Sequence, residues 1–185
     1  MEVTNKKVLV FGSGLSGTGA VGLLTEHGAD VVLYDGNENL DKAELAGRIG
    51  GAVQIVLGTF PEELLQTLDL VVLSPGVPTD LPIVRQMFER GIEVIGEVEL
   101  AYAFGKGDVL AVTGTNGKTT TTSLLGEIMK NYKEEVYVVG NIGNPYTVAA
   151  GQMSEHAVAV AEMSSFQLES IVSFRPAVSA LLNIT

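Results

Sequence analysis

The sequence predicts an α/β fold: a Rossmann-like parallel-sheet domain followed by a truncated P-loop-type α/β domain. Three observations lead there. Short apolar runs alternate with amphipathic segments along all 185 residues, the pattern of strands joined by crossover helices. A glycine-rich turn between strand and helix occurs twice, at Gly12–Gly17 and at Gly114–Thr120. Hydrophobic content of 46% with scattered charge suits a chain that buries a core.

The elements follow in order. Lys7–Phe11 reads as a buried strand, followed by the first glycine turn and a helix near Thr18–Glu26 that stops at Gly28. Asp30–Tyr34 is the next strand, with Asp35 at its carboxyl end. A helix is expected over Leu40–Arg48 and a third strand over Val53–Leu57. Pro61-Glu62-Glu63 starts a short helix with acids where the dipole favours them. Asp69–Leu73 is a fourth strand and stops at Ser74-Pro75-Gly76. Asp80 is expected to cap a helix with Pro82 in its first turn, running to Arg90 before Gly91. Ile92–Ile95 completes the first sheet. Gly105-Lys106-Gly107-Asp108 reads as a linker, which divides the chain into residues 1–107 and 108–185. The second unit has strands at Leu110–Thr113, Val136–Val139, Ala157–Ala161 and Val178–Leu182, and a helix over Lys118–Asn131. Ending on a strand tip, Leu181–Thr185, predicts that this unit is incomplete and leaves an unpaired apolar edge.

Composition narrows the function. Net charge is −11; residues 1–108 carry 16 acids against 7 bases. That balance predicts no nucleic-acid partner. Cysteine is absent, which excludes disulfides and thiolate metal sites. The apolar run Val8–Phe11 is too short for a signal peptide or a membrane span, so a cytoplasmic protein is expected. His27 and His156 have no ligand spacing and are assigned no role.

Two phosphate sites are expected. The glycines at 12, 14 and 17 have the dinucleotide offsets, and Asp35 follows 18 residues after Gly17. NAD is therefore one candidate ligand of the first turn, and close helix–strand packing alone is another explanation. The second loop places glycine at 114 where the strict P-loop would need it at Val112. It keeps the features that cradle a triphosphate: a turn, Lys118 as a point charge and the Thr119 hydroxyl for magnesium. Glu162 ends a neighbouring strand, where a magnesium ligand would sit; a helix-capping or solvated acid explains it equally well. The Asn141–Pro145 turn has purely local explanations as well.

In that order and spacing the pieces resemble the Mur ligases. The features that carry the resemblance are the opening turn with Asp35, Leu73–Pro78, Gly114–Thr120, and Gly140–Gly143 with Glu162–Leu168. The resemblance implies that the first domain holds the UDP part of a sugar substrate, through Gly14, Leu15, Ser16, Asp35, Gly36, Ser74, Pro75 and Gly76. It implies that ATP is bound by Thr115, Asn116, Gly117, Lys118, Thr119 and Thr120, with Lys118 catalytic and Mg2+ on Thr119 and Glu162. Asn141, Ser164 and Gln167 would touch the sugar substrate. Two departures stand out: Asn37 replaces the basic residue that relatives stack on uracil, and Met163 replaces a leucine. The implied reaction is ATP-dependent attachment of D-glutamate to UDP-N-acetylmuramoyl-L-alanine through an acyl phosphate. The domain that recognises D-glutamate is absent, so this chain is expected to bind nucleotides without ligating. The alternatives are an NAD-dependent dehydrogenase and a non-catalytic nucleotide-binding module.

Overall fold

The computed structural model describes residues 1–50 and 53–185. Residues 7–96 form a five-stranded parallel sheet in the order β3-β2-β1-β4-β5. Its strands are β1 (Lys7–Phe11), β2 (Asp30–Asp35), β3 (Gln54–Leu57), β4 (Leu70–Leu73) and β5 (Glu93–Gly96). The connecting helices are α1 (Leu15–Glu26), α2 (Lys42–Ile49) and α3 (Pro82–Glu89), with a 3₁₀ turn at Glu62–Gln66. Strand side chains alternate between two cores. Val8, Val10, Leu33 and Val72 face one side with Val21 and Leu24, while Leu9, Phe11, Val32 and Val71 face the other with Leu65 and Met87. Burial on both faces is what a parallel sheet covered by helices requires.

The second sheet is parallel and four-stranded, in the order β7-β8-β6-β9. Its strands are β6 (Asp108–Thr113), β7 (Val136–Gly140), β8 (Val158–Glu162) and β9 (Val178–Leu181), with α5 (Lys118–Met129) after the second glycine loop. Val178 and Leu181 on β9 are each 60% exposed.

Three helices went unread in the sequence: α4 (Glu97–Phe104), α6 (Tyr146–Ala150) and α7 (Ser165–Leu168). They join the two sheets. α6 packs against both α1 and α4, and Gly19 of α1 lies so close that a Cβ there would meet the Thr147 hydroxyl at 2.6 Å. One apolar cluster consequently runs from Val8 and Leu24 through Leu100, Tyr146 and Ala150 to Ala159 and Ala161. Most element ends shift by one or two residues, and two further differences have a local cause. α1 begins at Leu15 rather than Thr18, because Gly17 packs on Gly12 inside the first turn. Asp80 does not cap α3: Leu81 holds the cap position and no side chain bonds to the helix start.

Candidate functional site: two glycine turns and a cavity

The sheet order reverses beside β1, so the carboxyl ends of β1 and β4 flank a crevice where ligands of such sheets bind. The first glycine turn lies there. Gly12 has φ of 103°, and a Cβ on it would meet the Ser74 side chain at 2.8 Å. A Cβ on Gly17 would come within 1.8 Å of the Gly12 carbonyl. Only glycine permits this approach. Asp35 fixes the turn from the next strand: its carboxylate accepts from the Ser13 amide at 2.9 Å, the Ser13 hydroxyl at 2.6 Å and the Asn37 amide at 3.0 Å. Burial pushes its pKa up, but the Ser13 and Asn37 donors outweigh burial and hold the carboxyl below its ordinary value. The Ser74 hydroxyl donates to the Gly12 carbonyl at 3.2 Å. Gly14 begins α1 without a side-chain cap, and the amides of Leu15, Ser16 and Gly17 have no acceptor among the described residues. They are free donors for an anion.

The second turn is built differently. β6 ends in Gly114 (φ 141°) and Gly117 (φ 84°), the latter opening α5, again without a side-chain cap. Its apex is held by a residue 67 positions on. Asn183 accepts from the Asn116 amide at 2.9 Å and donates to the Asn116 carbonyl at 3.0 Å. The Asn183 carbonyl accepts from the Thr115 amide at 3.1 Å. The Thr115 and Asn116 amides, read from the sequence as phosphate donors, are therefore already engaged. The amides of Gly117, Lys118, Thr119 and Thr120 have no acceptor among the described residues. Lys118 folds back onto its own loop and donates to the carbonyls of Gly114 at 2.7 Å and Thr115 at 3.2 Å.

Glu162 ends β8 in register with Val112 of β6, the strand that leads into this loop. It is 1% exposed. One oxygen accepts from the Asn141 side chain at 2.9 Å; Oε2 has no hydrogen-bond partner. An orphaned buried carboxylate oxygen carries a desolvation penalty that a cation removes. Oxygen donors such as this carboxylate and the Thr119 hydroxyl are of the hard type that would suit Mg2+. Asn141 also donates its main-chain amide to the Glu162 carbonyl at 2.9 Å, so its observed work is to position Glu162.

A cavity of about 580 Å3 lies between the segment after β4, the start of α4 and the segment that begins with α7. Ser74, Pro75, Gly76 and Gln167 line it, whereas Gly14, Leu15, Ser16, Asp35, Gly36, Asn141 and Ser164 do not. Phe166, 66% exposed, and Glu97 line it as well and were missed. Glu97 begins α4 and is 4% exposed. It accepts from the Gln167 side chain at 3.0 Å, and its Oε2 is unpartnered. Burial raises its pKa, while the Ser16 hydroxyl and the Gln167 amide pull the other way. Ser164 and Gln167 form a reciprocal cap on α7, with the Gln167 amide donating to the Ser164 hydroxyl at 3.3 Å. An acid in the Gly96-Glu97-Val98-Glu99 run directly after a core strand was the available signal for Glu97.

Two uncapped helix starts after glycine turns stand on two parallel sheets, and the two units both contribute walls to one cavity. Residues 6–96 match the family model of the Mur ligase MurD-like N-terminal domain, and residues 112–185 match that of the Mur ligase middle domain. The chain belongs to the Mur ligase family. It is 54% identical over 186 residues to the UDP-N-acetylmuramoylalanine--D-glutamate ligase of Lachnospira eligens. It is 55% identical over 187 residues to the enzyme of that name from Lachnoclostridium phytofermentans. Both matches cover 100% of this chain and 41% of the relative, so the chain spans about two fifths of their length. Among solved structures it is similar to UDP-N-acetylmuramate:L-alanyl-gamma-D-glutamyl-meso-diaminopimelate ligase from Neisseria meningitides. The TM-score is 0.60 at 18% identity, covering 98% of this chain and 61% of that one. UDP-N-acetylmuramate-alanine ligase from Thermotoga maritima gives 0.56 at 21%, covering 97% and 41%. These two share the fold.

Proposed function

We propose that the chain is the sugar-nucleotide-binding and ATP-binding part of a ligase that joins D-glutamate to UDP-N-acetylmuramoyl-L-alanine. The observation that carries the reading is the pairing of two uncapped helix starts after glycine turns, one in each unit, with a cavity walled by Ser74–Gly76 of the first unit and Phe166–Ser170 of the second. Residues 1–107 hold the UDP-sugar, with the amides of Leu15 and Ser16 on the pyrophosphate and Ser74–Gly76 along the same groove. Gly14 and Gly36 leave room at its edge, and Asp35 acts through the turn it fixes. Residues 108–185 hold ATP on the amides of Gly117–Thr120.

The chemical obstacle is electrostatic, because a carboxylate must approach a polyanion. Lys118 leaves the carbonyls of Gly114 and Thr115 and turns its ammonium to the phosphates. Thr119 and Glu162 would hold Mg2+, which neutralises phosphate charge when bound. The alanyl carboxylate then attacks the γ-phosphorus and ADP leaves, giving an acyl phosphate. The D-glutamate amine displaces phosphate from that carbonyl. Phe166 and Gln167 orient the sugar substrate, and Asn141 keeps Glu162 in place. Sequence similarity to the glutamate ligases over the whole chain favours this reading over a dehydrogenase.

No helix among the described residues is long and apolar enough to cross a membrane, which is compatible with a cytoplasmic enzyme. Calorimetric titration with UDP-N-acetylmuramoyl-L-alanine, and separately with Mg-ATP, tests the reading. Saturable binding of each is expected, without D-glutamate-dependent ADP release by the 185-residue chain. NADH binding tighter than the sugar nucleotide would overturn it.

A further inference from the structure

The segment from Ser164 to Arg175 runs from α7 to β9 and lies along α4, at the junction of the two sheets. The Gly96 amide donates to the Ser170 carbonyl at 3.2 Å, and a Cβ on Gly96 would strike the Ser170 side chain at 2.0 Å. The Tyr102 hydroxyl donates to the Arg175 carbonyl at 3.2 Å, and its ring meets Phe174 edge-on at 5.3 Å. Between these contacts stands Glu99, 3% exposed. Its carboxylate accepts from three consecutive main-chain amides: Val172 at 2.8 Å, Ser173 at 2.8 Å and Phe174 at 3.0 Å. The Ser173 hydroxyl donates to it as well.

Successive amides converging on one anion form a nest, and charge-assisted bonds of this kind are the stronger ones. Burial would raise the Glu99 pKa; the Ser173 hydroxyl and the three amides outweigh it and hold the group ionised. Among the described residues no cation pairs with it. The docked segment alone balances its charge. Leu168 and Phe174 pack on the apolar core at either side of the stretch, but between them Val172 is 78% exposed and Ile171 36%. There the hydrogen bonds to Glu99 set the course of the backbone.

We propose that Glu99 is a positioning residue for the sugar-nucleotide cleft: it docks the segment whose Phe166, Gln167, Glu169 and Ser170 form the wall given by the second sheet. The proposal rests on the reading of that cleft given above. Through this latch the second unit shapes a pocket whose other wall, Ser74–Asp80, belongs to the first.

Glu99→Gln keeps the size but turns donors toward donors, and Ser173→Ala removes one hydroxyl bond. Both variants are followed by amide hydrogen exchange over residues 165–175 and by titration with UDP-N-acetylmuramoyl-L-alanine and with Mg-ATP. For Glu99→Gln, exchange protection of the segment and affinity for the sugar nucleotide each fall by about tenfold, with Mg-ATP affinity unchanged. Ser173→Ala moves the same two readouts by roughly threefold. Retained protection overturns the latch, and so does lost protection with unchanged sugar-nucleotide affinity. If Glu99→Gln does not fold, Ser173→Ala decides by the same criteria. A wild-type chain with no affinity for the sugar nucleotide overturns the reading of the cleft, and the proposal with it; equal binding by wild type and variant overturns the latch alone.

Discussion

The two phosphate turns share a plan, strand to glycine loop to uncapped helix, yet they are held in different ways. The first is locked within its own sheet. Gly17 lies against Gly12, Ser74 bonds across from β4, and Asp35 ties Ser13 from β2. The second depends on Asn183, which lies beyond the last strand, and its lysine is parked on loop carbonyls. A turn braced by its neighbours is preformed for a ligand. One braced from a distant segment, with its charge folded away, must rearrange when the ligand arrives, and affinity for its ligand includes that rearrangement.

Several measurements break or sharpen this contrast. The largest effect is expected from Gly17→Ala, whose Cβ has no room beside the Gly12 carbonyl. Loss of about 3 kcal/mol in denaturant unfolding is expected, with sugar-nucleotide binding abolished. Lys118→Ala comes next: Mg-ATP affinity falls by roughly a hundredfold, about 2.7 kcal/mol, with sugar-nucleotide binding and stability unchanged in calorimetry. Asn183→Ala frees the loop apex and weakens Mg-ATP by about tenfold, again sparing the sugar nucleotide. Equal loss at both sites would show that the turns are not braced independently.

Asp35 gives a pH signature. Its folded pKa lies below the ordinary 3.8, so its contribution is complete above that value and is lost as pH falls through the lower folded pKa. In acid titration of unfolding, Asp35→Asn is destabilised near neutral pH, and its deficit relative to wild type shrinks below about pH 4. The smallest effect is Asp80→Ala. With no bond to the start of α3, the change stays within about 0.5 kcal/mol.

Alternating strands, both glycine turns and the acid at the end of β8 were legible because each is a local pattern: period, punctuation and spacing. The first turn's brace was half visible, since Asp35 has the expected offset although its partner is Ser13. The roles of Asn183, Glu97 and Glu99 were not legible. Asn183 follows its strand with no spacing that links it to a loop 67 residues earlier. α6 and α7 have 5 and 4 residues, too short for periodicity to register. α4 is marked by two acids that look like an ordinary solvent-facing first turn.

By itself the sequence determined the strands, the longer crossover helices, the two glycine turns and the family, because these depend on residues close together in the chain. The tertiary structure alone decided which carboxylates are buried, which loop amides remain free and how the second sheet walls the first sheet's cleft. Those properties arise where distant segments meet. Solvent exclusion and hydrogen-bond competition there depend on geometry that no local spacing encodes.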